Sequence, residues 1–235
     1  MNERIERIKK LEKYTLSDLC EIVAILRDER DGCPWDKKQT HQTLKGNFIE
    51  ETYEVVEAIN KNDAPLLCEE LGDVLLQVAF HCRMEEEKNS FSIDDVLNFV
   101  CKKMIYRHPH IFSDFDGDIS ENWEKLKNAE KNRKSKADIL SSVPRELPAL
   151  MRAQKIWRKS EAELSYFSGS ENHFLPSLFE DESELSVEEK ERIAGEYIFK
   201  MCAIFAENGV NAEQALTYAT DAFAQKCIKK DAKDC

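Results

Sequence analysis

The sequence predicts an all-α protein, and three observations carry that prediction. Only seven glycines and six prolines interrupt 235 residues. No run shows the sustained apolar–polar alternation of a half-buried strand. Apolar residues instead recur at helical spacing inside segments bounded by capping residues. With 42% hydrophobic residues, the chain is long enough for one large or two small domains with real cores.

A first helix is expected over about 15–30, followed by the loop "DGCPWDKKQTHQ". A second spans about 42–61 and stops at "NKND". The third, about 64–88, opens behind Asp63 with Pro65 in its first turn, where a missing N–H costs nothing. Ser92, three residues before Asp95, caps a fourth helix that runs to about 107. The stretch "RHPHIFSDFDGDIS" reads as a loop, with His108 and His110 flanking Pro109 in a turn. A charged helix is expected over 120–135 and another near 147–163. Residues 165–185 look irregular, and two last helices occupy about 186–207 and 211–230. A faint internal repeat aligns 70–80 with 193–203 and 91–104 with 210–223, pairing Gly72 with Gly195.

The net charge of −12 and pI near 5.0 argue against a nucleic-acid polymer as partner, since no basic stripe is present. The same acidity opposes anionic membranes, and no apolar run reaches the roughly 20 residues of a membrane span. A small anionic substrate accompanied by a cation remains compatible. The N-terminus is too polar for a secretory signal. None of the eight cysteines forms a CxxC, and several occupy apolar helical positions, so a reducing cytoplasm is the expected location.

Acidic residues concentrate in the second and third helices. Glu50, Glu54 and Glu57 share one stripe of the second, with Glu51 beside it. Alone, that is an ordinary solvated face. The third helix differs, because Leu67, Leu71, Val74, Leu75, Val78 and Phe80 spread around nearly its whole circumference. Such a helix is expected to be buried on most sides, with Glu70 and Asp73 inside the apolar surround. No Lys or Arg stands between Asp63 and Arg83. A buried carboxylate must be paired, protonated or metal-bound. The short link makes the two helices antiparallel neighbours, so Glu51 with Glu54 should face Glu70 with Asp73. All-oxygen ligands suit Mg²⁺ or Mn²⁺. A di-iron bundle would need Glu-x-x-His motifs, which are absent. Magnesium in an acidic protein suits a phosphate-bearing substrate. The fourth helix offers Lys102, Lys103 and Arg107, of which Lys103 and Arg107 share a face; taken alone, a solvated basic patch complementing the helix C-terminus is the favoured reading of them.

"GCPWDKKQTHQTL", "EETYE", "ELGDVLLQV" and "KKMIYRHPHIF" together resemble the MazG family, nucleoside triphosphate pyrophosphohydrolases of the all-α NTP pyrophosphatase superfamily. "VPRELPALMRAQKIWRK" (143–159) resembles that family's linker between tandem copies. The resemblance implies a four-helix-bundle-type domain over 1–118, a helical linker over 119–164 and a degenerate second copy over 165–235. It implies Mg²⁺-dependent hydrolysis of a nucleoside triphosphate to the monophosphate and pyrophosphate, in a homodimer. Glu51, Glu54, Glu70 and Asp73 would bind metal, Glu50 would support them or orient water, and Lys103 and Arg107 would contact phosphates. The second half departs from the pattern: Ile193 stands for Glu70, Glu196 for Asp73 and Ala222 for Lys103. A narrower phosphohydrolase acting on dUTP, dCTP or phosphoribosyl-ATP, and a non-catalytic nucleotide- or protein-binding module, are the competing readings.

Overall fold

The computed structural model describes residues 2–113, 130, 135–167 and 186–231, and every regular element among them is helical. The chain divides into two compact units, Met1–Gly117 and Asp118–Cys235.

The first unit contains α1 (Asn2–Lys9), α2 (Leu16–Leu26), a 3₁₀ turn at Asp36–Lys38, α3 (His41–Lys61), α4 (Ala64–Glu86), α5 (Ile93–Arg107) and the short α6 (Pro109–Phe112). Its long helices start where local chemistry dictates. Thr40 caps α3 through the Thr43 N–H, Asp63 caps α4 through the Leu66 N–H, and Ser92 exchanges hydrogen bonds with Asp95 at the start of α5. Between α3 and α4 the chain reverses at Asn62, which takes the left-handed conformation (φ 52°) that ends a helix. The resulting hairpin buries Leu44 against Ala79, Phe80 and Met84, and Val23 of α2 completes the cluster.

Several elements differ from the sequence expectation, and the short α6 falls where a loop is expected. α2 ends at Leu26, four residues early. The Asp28 carboxylate accepts from the N–H groups of Arg30 and Asp31, and Cys33 N–H bonds back to Leu26 O at 2.8 Å. A Cβ on Gly32 would lie 2.4 Å from Asp28 O and 2.5 Å from Leu26 O, so this turn demands glycine. The polar N-terminus, read only as no signal sequence, forms α1, which docks on α2 through the ion pairs Arg4–Glu21 and Arg7–Asp18.

The second unit holds α7 (Lys136–Ser141), α8 (Ala149–Ser160), a 3₁₀ turn at Leu164–Phe167, α9 (Val187–Glu207) and α10 (Ala212–Asp231). α8 lies in the segment that resembles a linker, and it packs on both α9 and α10. Gln154 is the polar pin of that packing. It is buried, its Nε2 donates to Val210 O at 2.8 Å and to Cys202 O at 3.4 Å, and its Oε1 accepts from Ala212 N–H at 3.0 Å. Trp157 stacks on Phe167 and donates from Nε1 to Glu207 at 2.6 Å. The aligned repeat segments fall on the α4–α5 and α9–α10 pairs. The helix expected over 120–135, apart from the helical residue 130 and Ser135, and the irregular stretch beyond Phe167 lie outside the described residues.

Candidate metal centre

α3 and α4 run antiparallel. His41 meets His81 and Glu85 at one end, while Glu51 meets Glu70 and Asp73 further along. Two helices with that register place residues three apart on each as facing pairs. One carboxylate oxygen from each of Glu51, Glu70 and Asp73 lies within 4.8 Å of the others, and this is the one such group among the described residues. All three side chains are half-buried. Glu54 is exposed and borders the cluster, in hydrogen-bonding reach of Glu51 and of Glu70. Among the described residues, no ion pair neutralises any of the four.

The electrostatic consequence is visible on two of them. Burial, then the Glu54 hydrogen bond and the Asp73 charge, raise the Glu51 carboxyl above its ordinary value. Burial, then the charges of Glu54, Glu69 and Asp73, raise Glu70. Like charges held this close disfavour ionisation of each other. An oxygen-only cluster with no ion-paired Lys or Arg among the described residues, which resists its own ionisation, fits a hard divalent ion.

The remaining candidates are not members of this group. Glu50 is exposed on α3. Lys103 is half-buried on α5 with its ammonium 5.7 Å from the centre of the Phe99 ring. Arg107, one turn later, is buried, so it is no solvated patch. α5 itself packs on α4.

One expectation needs correction. α4 is not enclosed on most sides within one chain: Leu71 and Leu75 are each 47% exposed. On α3, Ile49, Tyr53, Val56 and Ile59 are exposed as well. The apolar circumference of α4 outruns what α2, α3 and α5 can cover.

Three features of the site region left no readable signal in the sequence. Arg27 donates from Nη1 to Asp36 O (2.8 Å) and Gln39 O (3.0 Å), and from Nε and Nη2 to the Glu87 carboxylate (3.0 and 2.8 Å). It thereby ties the "CPWDKKQ" loop to the end of α4. Gln77, one turn beyond Asp73, is buried with no hydrogen-bond partner for Oε1. His41 and His81 form a direct pair.

Residues 39–112 match the MazG nucleotide pyrophosphohydrolase domain, a span that contains every acidic and basic candidate named above. Over 221 residues the chain is 34% identical to the nucleoside triphosphate pyrophosphohydrolase of Escherichia coli K12, covering 88% of this chain and 84% of that one. The chain belongs to the MazG family. A Thermotoga maritima member, named nucleoside triphosphate pyrophosphohydrolase/pyrophosphatase MazG, is 35% identical over 217 residues, 90% of this chain and 84% of its own. The Bacillus subtilis protein YabN is 48% identical over 153 residues, 63% of this chain and 31% of YabN. This MazG chain has no helix among its described residues that is long and apolar enough to cross a membrane.

Proposed function

We propose that this MazG chain hydrolyses nucleoside triphosphates to the monophosphate and pyrophosphate at the α3–α4 acidic cluster, with Mg²⁺ (or Mn²⁺) as cofactor. The observation that carries this reading is the convergence of Glu51, Glu70 and Asp73, with no Lys or Arg ion-paired to them among the described residues. The names of the relatives agree with it. Glu51, Glu54, Glu70 and Asp73 would hold the ion. When bound there, a divalent cation supplies neutralisation of phosphate oxygens and acidification of water. The chain's own groups do the rest. Glu50, beside the cluster in sequence, would orient the attacking water, and Lys103 and Arg107 would take up the remaining phosphate charge. No covalent nucleophile enters this reading.

The second unit is read as a degenerate copy without a metal site. Ile193 cannot ligate, and Glu196, in the place of Asp73, is paired with Arg192 at 2.7 Å. A homodimer in the cytoplasm is part of the proposal, and the exposed apolar residues of α3 and α4 support the dimer. Sedimentation of the pure chain tests it.

Activity is tested by pyrophosphate release from a panel of NTPs, dUTP, dCTP and phosphoribosyl-ATP with Mg²⁺. Glu54→Ala and Asp73→Ala should each abolish turnover in a folded chain. Activity confined to one substrate favours the narrower enzymes. Binding without any release favours the non-catalytic module.

A further inference from the structure

At the open end of the α3–α4 hairpin, away from the acidic cluster, His41 and His81 hold their Nδ1 atoms 2.7 Å apart. Their ring planes differ by 4° and their centroids are 5.0 Å apart. With nitrogens that close, the rings lie edge to edge in nearly one plane, so each Nδ1 is aimed at the other. His41 Nε2 contacts Glu85 Oε1 at 2.7 Å, and Lys88 Nζ donates to the same oxygen at 2.7 Å. Phe48 sets its ring edgewise on His81.

Proton counting limits what this arrangement can hold. Lys88, then His41, keep Glu85 ionised by lowering its carboxyl to about 2. It therefore accepts from His41 Nε2–H, which leaves His41 Nδ1 to share one proton with His81 Nδ1. A proton on both Nδ1 atoms would place two N–H groups head to head. The contact takes one proton and is broken by a second.

The pair also occupies a mechanically sensitive position. Ten residues of α3 separate His41 from Glu51, and eight and eleven of α4 separate His81 from Asp73 and Glu70. At 1.5 Å per residue both spans are about 15 Å of rigid helix. Between them, Leu44 and its apolar neighbours resist separation of the helices but give little resistance to sliding. At the far end, Glu51, Glu70 and Asp73 repel one another. A directional restraint is needed to hold them opposed.

We propose that His41 and His81 are positioning residues: a single-proton clamp that fixes the register of α3 on α4 and so keeps Glu51 and Glu54 opposite Glu70 and Asp73. The clamp rests on the reading of that cluster as a metal site. Burial, then the neighbouring His41, depress the His81 imidazole. The unfolded chain therefore takes up the proton first as the pH falls through about 6.5, and the clamp's contribution is complete above that value and lost below it. On the other faces of α4, the titratable and charged groups include Cys82, Arg83 and Glu86 with Cys20 and Glu21 of α2 and Asp94 of α5, and these act on one another. The charge acting on His81 is that of His41.

The test is binding of Mn²⁺ alone to the full chain, read by the resonance of the free ion, without nucleotide. His81→Ala should weaken Mn²⁺ binding about fivefold or more at pH 7.5. His81→Asn, which leaves a neutral donor or acceptor where Nδ1 stood, should recover wild-type affinity to within about twofold. The wild type is expected to lose affinity between about pH 7 and 5.5, and His81→Asn should flatten that fall. If His81→Ala is unfolded by circular dichroism, His41→Asn/His81→Asn against the wild type carries the same comparison. Wild-type affinity in His81→Ala, or an unchanged pH slope in the Asn variants, overturns the clamp. A wild type that binds no Mn²⁺ overturns the metal site and the clamp with it. One that binds Mn²⁺ yet releases no pyrophosphate overturns only the activity.

Discussion

Glu51 on α3 and Asp73 on α4 hold carboxylate oxygens within 4.8 Å of each other, with an oxygen of Glu70 equally close and no cation among the described residues to balance them. The hairpin brings together groups that oppose its own closure. Such an arrangement stores repulsion that a cation would relieve.

Removing one of these charges should therefore split binding from stability. Asp73→Asn is expected to weaken Mg²⁺ or Mn²⁺ binding by more than about tenfold. Without metal, the same variant should melt higher than the wild type by about 2 °C, because one repulsive partner is gone. Calorimetric melts with and without metal check both halves. A lower metal-free melting temperature in Asp73→Asn would count against the repulsion.

The pH dependence follows from the raised carboxyls of Glu51 and Glu70, each lifted first by burial and then by its acidic neighbours. A carboxyl whose folded value is raised favours the fold below its unfolded value, about 4.3, and that contribution is lost as the pH rises through the folded value. The wild type should thus lose stability relative to Asp73→Asn as the pH climbs out of the carboxylate range. Added Mg²⁺ should cancel the difference. Parallel wild-type and variant curves across this window would refute the assignment.

Arg27 should be costly to remove. Arg27→Ala strips the donor from the Gln39 carbonyl and leaves Asp36 O with Gln39 N–H and the Glu87 carboxylate with Arg83 alone, a loss of about 2–3 kcal/mol in denaturant titrations. Arg27→Lys should recover less than half, since an ammonium cannot span both carbonyls and a bidentate carboxylate. Full recovery in the lysine variant would show that charge alone matters here.

In the second unit, Gln154→Leu keeps side-chain bulk but strips two donors from backbone carbonyls and an acceptor from Ala212 N–H. We expect a loss of about 2–3 kcal/mol, with amide exchange accelerating in α8, α9 and α10. Mn²⁺ binding at the α3–α4 cluster should be unchanged. Altered Mn²⁺ affinity in this variant would contradict the assignment of the metal site to the first unit.

Several features were legible in the sequence because their causes are local. Ser92 and Asp95 lie three residues apart and close one capping box, and Asp63 and Pro65 open α4 within a single turn. The early end of α2 was less legible. It depends on the Gly32 turn closing on Leu26 and Asp28, and Arg27 finds its carboxylate sixty residues away on Glu87. The exposure of Leu71 and Leu75 was misjudged for a related reason. Periodicity reports how apolar a helix is, and not how many neighbours one chain supplies to cover it.

By itself, the sequence determined that α2 to α5 form, the i,i+3 spacing of Glu51 with Glu54 and of Glu70 with Asp73, and the short link that makes them face. Helical periodicity is a property of neighbours along the chain, so it survives without a fold. The tertiary structure decided which oxygens converge, placing Glu51, Glu70 and Asp73 together with Glu54 at the edge. It alone decided that His41 would meet His81, because a contact across forty residues depends on the register of two packed helices.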